Sequence, residues 1–161
     1  MNGNRINFRQ MIQLGSALSA CLLLSACFHM PSLSPPPEPI YDVRSATVVS
    51  SGAASPALLT AVSERVNAAI AATAHNTALP AVALTIRITQ SERAQGYQKE
   101  RNTAKVDTDA SSVESGSVIA VKSLESTTFS ADSTAVDDLM AEDIAARIRS
   151  TYSLTTPRQD N

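Results

Sequence analysis

The sequence predicts an α+β domain: a small mixed or antiparallel sheet of about four strands with two helices packed on one face, behind a leader and a proline-rich tether. Three observations lead there. Residues 81–90 set Val82, Leu84, Ile86 and Ile88 on one side against Thr85, Arg87 and Thr89 on the other, the period-two signature of a half-buried strand. Residues 56–74 and 133–152 instead carry apolar side chains at helical spacing. The chain has 161 residues, 43% apolar and 17% charged, enough hydrophobicity for one folded core and too little charge for a wholly disordered polymer.

Taken in order, residues 41–50 are rich in β-branched side chains and end in Ser-Ser-Gly-Ala-Ala, a first strand and its turn. Ser55-Pro56 supplies an N-cap followed by proline at the first helical position. Leu59, Val62, Val66, Ala69 and Ile70 then mark one face of a helix that Asn76 and Pro80 terminate. In the second strand Val82, Leu84, Ile86 and Ile88 face one way and Thr85, Arg87 and Thr89 the other. Residues 103–110 set Ala104, Val106 and Thr108 against Lys105, Asp107 and Asp109, and residues 117–125 form a fourth strand across a turn at Glu114-Ser115-Gly116-Ser117. Thr134 can cap a second helix with Asp137 and Asp138 in its first turn and Arg147 and Arg149 in its last, complementing the dipole at both ends. Its predicted buried stripe is Val136, Leu139, Met140, Ile144, Ile148 and Tyr152. The expected layout is a leader over 1–26, a tether over 27–40, the domain over 41–154 and a loose tail over 155–161.

The first ten residues carry Arg5 and Arg9 and no acid, and an apolar run of 14 residues follows from Met11 to Leu24. That run is shorter than the roughly 20 residues a spanning helix needs, so it reads as a cleaved secretion signal. Directly behind it stands Leu24-Ser25-Ala26-Cys27, which resembles the lipobox of bacterial lipoproteins. The resemblance implies a diacylglycerol on the Cys27 thiol, cleavage just before it, and a membrane partner held through the lipid. A second match, Leu18-Ser19-Ala20-Cys21, follows a shorter apolar run interrupted by Gln13 and Gly15. The alternatives for Cys27 are a buried free thiol or a disulfide with Cys21. With cleavage before Cys27 the mature chain keeps 135 residues and no free thiol, and its side-chain charge falls from −2 to −4 because Arg5 and Arg9 are lost. Lipoproteins of Gram-negative bacteria with Asp after the cysteine tend to stay in the inner membrane; here Phe28 follows, which by that resemblance favours the periplasmic leaflet of the outer membrane.

Five of the eight prolines fall between Phe28 and Ile40, favouring extended polyproline geometry. At about 3.1 Å per residue these 13 residues span roughly 40 Å, so the tether works as a spacer. A docking ligand is the other reading of such a stretch, but no Lys or Arg lies between Phe28 and Val43 to orient one.

Composition removes several function classes. With 13 basic against 15 acidic side chains and no Trp, nucleic acid is not an expected partner. The five glycines form no phosphate-binding loop, dinucleotide fingerprint or nucleophile elbow, and no catalytic residue or cofactor is assigned. His29 sits in the tether, and His75 at the end of the first helix suits the dipole there. Asp107 and Asp109 lie about 7 Å apart on one side of a strand, where two carboxylates could contribute to a divalent-ion site. A solvated strand face with Lys105 is the simpler reading, and no metal is expected. The polar connection over 91–101 is longer than a tight hairpin needs, and its Arg93, Tyr97, Lys99 and Arg101 form a possible partner-binding loop.

The element order, lipobox and tether together resemble, in outline only, small envelope lipoproteins with α/β sandwich domains, among them accessory subunits of outer-membrane assembly and transport machines. The expected function is that of a non-enzymatic accessory subunit of an envelope complex. The alternatives are a binding module for a lipid or cell-wall fragment in a pocket between helices and sheet, and a carboxylate hydrolase, for which no pair of differing environments is visible.

Overall fold

A computed structural model describes residues 40–52, 54–93, 101–130, 132 and 135–158. Six elements follow one another: β1 (Asp42–Ser50), α1 (Pro56–Ala72), β2 (Ala81–Glu92), β3 (Arg101–Ser112), β4 (Val118–Phe129) and α2 (Val136–Tyr152). They form a four-stranded mixed sheet in the order β1-β2-β3-β4, with β1 parallel to β2 and the other pairs antiparallel. The parallel pair follows from the crossover through α1, and the antiparallel ones from direct hairpin connections. Both helices lie on one face, α1 against β1 and α2 against β3 and β4, and they pack on each other. This is the α+β architecture expected.

The central layer comes from β2. Val82, Leu84, Ile86 and Ile88 are at most 2% exposed, and Ala104, Val106 and Ala110 of β3 continue the same face. Helix α1 contributes Leu58, Val62, Val66, Ala69 and Ile70, and α2 contributes Met140, Ala141, Ile144, Ala145 and Ile148. The alanines let the α2 backbone approach the sheet closely.

Several boundaries and faces differ from expectation. Helix α1 ends at Ala72 because Thr73 takes an extended conformation (ψ 130°) and its hydroxyl donates to the Ala69 carbonyl at 2.7 Å. Leu58, rather than Leu59, leads the buried stripe, since the α1 face is rotated by one residue at its start. Leu139 is 46% exposed; the interior next to it is filled by Met140 and Ala141. Strands β3 and β4 are longer than expected, because each extends as far as its neighbour offers backbone partners, from Arg101 opposite Phe129 to Ser111 opposite Val118. The predicted cap Thr134 lies outside the described residues; Ala135 precedes the first turn and provides no side-chain cap.

Local chemistry explains the remaining junctions. Ser55 caps α1 by accepting from the Leu58 amide at 3.1 Å. Gly116 takes φ 72° in the β3–β4 turn, a conformation that costs glycine nothing. After β1, a side chain at Gly52 would meet the Thr89 carbonyl oxygen at 2.5 Å, so only glycine fits beside that strand.

The two helices start side by side. Asp137 in the first turn of α2 accepts from the Ser55 hydroxyl at 2.6 Å and from Arg93 through both carboxylate oxygens at 2.8 Å. Arg65 of α1 pairs with Asp138 and, at 3.1 Å, with Glu142. Partial burial lowers the Arg65 pKa, yet these two carboxylates outweigh it and hold the guanidinium above its usual value. At the other end, the Thr155 amide donates to Thr73 at 2.8 Å, tying the chain beyond α2 to the end of α1.

The C-terminal turn of α2 buries Tyr152, whose hydroxyl lies 2.7 Å from that of Thr108 on β3. Burial raises the Tyr152 pKa above 10, with Thr108 opposing and Tyr41 and Asp109 adding to it. The folded protein therefore holds this proton more tightly than the unfolded chain does. Its contribution is fully present below about pH 10 and is lost as pH rises through the folded-state value. Urea titrations between pH 9 and 11.5 should show stability falling at the alkaline end, with a shallower fall in Tyr152→Phe. Identical pH profiles for the two proteins would contradict this role.

Candidate functional site

Polar chemistry gathers at the end of the sheet where β1 and β2 begin. Asp42, 5% exposed, opens β1 beside Ala81 of β2. Its carboxylate pairs with Arg44 at 2.5 Å and with Nδ1 of His75 at 2.9 Å. His75 thus lies beyond the end of α1 and engages a strand carboxylate rather than the helix terminus. The neighbouring cleft is lined by Tyr41, Val43, Asn76, Leu79, Tyr152 and Leu154, among others, and encloses about 50 Å³. That holds a few waters, whereas pockets for organic ligands run to roughly 300–1,000 Å³. A carboxylate–imidazole pair is also the orienting half of a hydrolytic triad. Here, among the described residues, the second ring nitrogen reaches no Ser or Thr hydroxyl. His75 meets one oxygen of this buried carboxylate, and Arg44 faces the other.

The open face of the sheet is a ladder of opposite charges. Arg87 stands opposite Asp107 in register and 3.5 Å from Asp109, and Lys105 stands opposite Glu125. Ser123 donates to Asp107 at 2.7 Å. The Asp107–Asp109 pair is therefore engaged by cross-strand partners, which stabilise a solvated sheet face. Among the described residues no group of three or more His, Cys, Asp or Glu side chains is placed to hold a metal ion.

The four residues of the possible partner-binding loop separate. Arg93 is bound to Asp137 of α2, and Arg101 is exposed at the start of β3. Tyr97 and Lys99 lie outside the described residues, as do Leu24, Ser25, Ala26 and Cys27. Arg101 instead has a neighbour that the sequence reading missed: Phe129, opposite it in register and 70% exposed. The clue was an aromatic residue in a chain with only three Phe, beyond the predicted end of the fourth strand.

Phe129 closes β4, a 12-residue edge strand with no further strand beside it among the described residues. Edges of soluble proteins are commonly blunted by proline, clustered charge or brevity. β4 has no proline and only Lys122 and Glu125 as charges, and it exposes Val118, Ile119 and Val121 by 43–60%. A one-residue bulge near Ile119 is its only register shift. The edge can add a strand from a partner, while its two ends present different chemistry: Arg101 with Phe129 at one and aliphatic side chains at the other.

No protein-family model matches the chain, and no curated protein does. Solved structures resemble its fold. A point variant of PelC and PelC itself, both dodecamers from Paraburkholderia phytofirmans, superpose with TM-scores of 0.49 and 0.48 at 14% and 13% identity. The first alignment covers 76% of this chain and 93% of that one, the second 70% and 87%. A minor lipoprotein from Acinetobacter baumannii superposes with a TM-score of 0.41 at 14% identity, over 77% of this chain and all (100%) of the other.

Proposed function

We propose that this protein is a lipid-anchored subunit of the bacterial cell envelope, attached through Cys27, facing the periplasm from the outer membrane, and acting as a non-enzymatic accessory to a larger complex. The observation that carries the reading is Leu24-Ser25-Ala26-Cys27 directly behind a basic start and a 14-residue apolar run. The tether then separates the lipid from the folded domain, and Phe28 after the cysteine supports the outer membrane. The interaction role is supported by the unblunted β4 edge and by Arg101 beside Phe129. Arg and aromatic residues are the side chains most enriched where partners bind tightly.

The test is purification of the tagged full-length protein from gently solubilised native envelopes, with co-purifying proteins identified by mass spectrometry. A stoichiometric partner is expected, reduced at least tenfold in the Arg101→Glu/Phe129→Ser variant and absent with Cys27→Ser. Recovery of the protein alone, or of the same partner with every variant, would contradict the accessory role.

A further inference from the structure

We propose that the tip of the β3–β4 hairpin docks on the surface of the bilayer that holds the Cys27 lipid, seating Val113, Val118, Ile119 and Val121 at the headgroup boundary. The inference deepens the functional reading above and rests on lipidation of Cys27.

Topology supplies the first argument. Asp42 pairs with Ala81, and the Ala81 carbonyl accepts from the Val113 amide at 2.9 Å. The chain therefore enters the sheet on the same end as the hairpin tip. Across strands about 4.8 Å apart, the entry point on β1 lies roughly 15 Å from β4. Only 13 residues separate Cys27 from Tyr41, so this end of the domain is the one tied to the lipid.

Surface chemistry supplies the second. Val113 is 57% exposed, Val118 55%, Ile119 43% and Val121 60%, all within one hairpin end. The bulge near Ile119 adds a residue to the edge there. Around them stand Glu114 and Lys122, one charge of each sign, and Asp109, opposite Val121, is paired with Arg87, so burial of aliphatic surface drives the contact and anionic lipid is not required. A 13-residue tether keeps this end of the domain within roughly 40 Å of the lipid, so that even a weak apolar contact with the bilayer is repeatedly sampled. Docking by this end points Arg101 and Phe129, at the far end of β3 and β4, away from the lipid.

The experiment uses the mature acylated protein in phosphatidylcholine vesicles. Cys21 leaves with the signal and Cys27 is acylated, so Ser117→Cys provides one thiol at the tip and Glu92→Cys one at the far end. Each carries an environment-sensitive fluorophore, read against nitroxide-bearing lipids. The tip label should be quenched at least threefold more than the far label, with no dependence on salt. Adding Ile119→Ser/Val121→Ser should bring the tip label down to the far label's level. Equal quenching at the two positions in vesicle-bound protein overturns the docking while leaving the anchor intact. Tip protection that grows with protein-to-lipid ratio also overturns it, in favour of contact between copies. Protein that does not float with the vesicles overturns the lipidation reading itself, and the docking with it.

Discussion

Replacing Cys27 with Ser should abolish the processed, membrane-anchored form of the protein. A serine hydroxyl cannot form the thioether that carries the diacylglycerol, and the described residues contain no helix long and apolar enough to cross a membrane. Each buried acyl methylene contributes about 0.8 kcal/mol, so two or more chains hold a protein for long periods while the domain's own apolar tip gives only a weak contact. Envelope fractionation with a high-salt wash should find the wild type in the pellet. The variant should appear as uncleaved precursor or as soluble protein. Equal pelleting of the processed variant would show that something other than Cys27 carries the attachment.

The largest expected effect on stability is at Ile86. It is fully buried (0% exposed) in the middle of β2, between Val48 of β1 and Thr108 of β3 in register. Truncation to Ala removes three buried carbons and leaves a cavity that strands paired on both sides cannot collapse to fill, at a cost of about 2–5 kcal/mol. Against a total of roughly 5–15 kcal/mol for a domain of this kind, Ile86→Ala should be marginally folded at 37 °C. Leu139→Ala, on the exposed side of α2, should change stability by less than about 0.5 kcal/mol. Urea titrations of the two variants measure the difference. A loss below about 1 kcal/mol for Ile86→Ala would mean that β2 is not the centre of the core.

What could be read from the sequence depended on how local its cause was. The alternation in β2, the Ser55-Pro56 helix start and the glycine turn at Gly116 depend on neighbouring residues, and each appears where expected. Strand ends depend on the partner strand, which is why β3 and β4 run to Ser112 and Phe129 and why the Arg101–Phe129 neighbourhood went unseen. Helical phase at Leu58 and Leu139 was misjudged because two adjacent apolar residues compete for one inward position and tertiary packing decides between them. The side-chain pairs that join distant segments, Asp42 with His75, Arg93 with Asp137 and Thr108 with Tyr152, have no signature in sequence spacing. They give two residues partners other than those the sequence suggested: Arg93 binds Asp137 at the start of α2, and His75 lies against the buried Asp42 carboxylate.

The central claim, that Cys27 is the acylated first residue of the mature protein, is tested most directly by the mass of the N-terminal peptide of protein isolated from its native membrane. The account predicts a peptide beginning at Cys27 and heavier than its amino-acid sequence by a diacylglyceryl group, with or without a further acyl chain on the new amine. An unmodified Cys27 inside a peptide that continues from the preceding residues would contradict it.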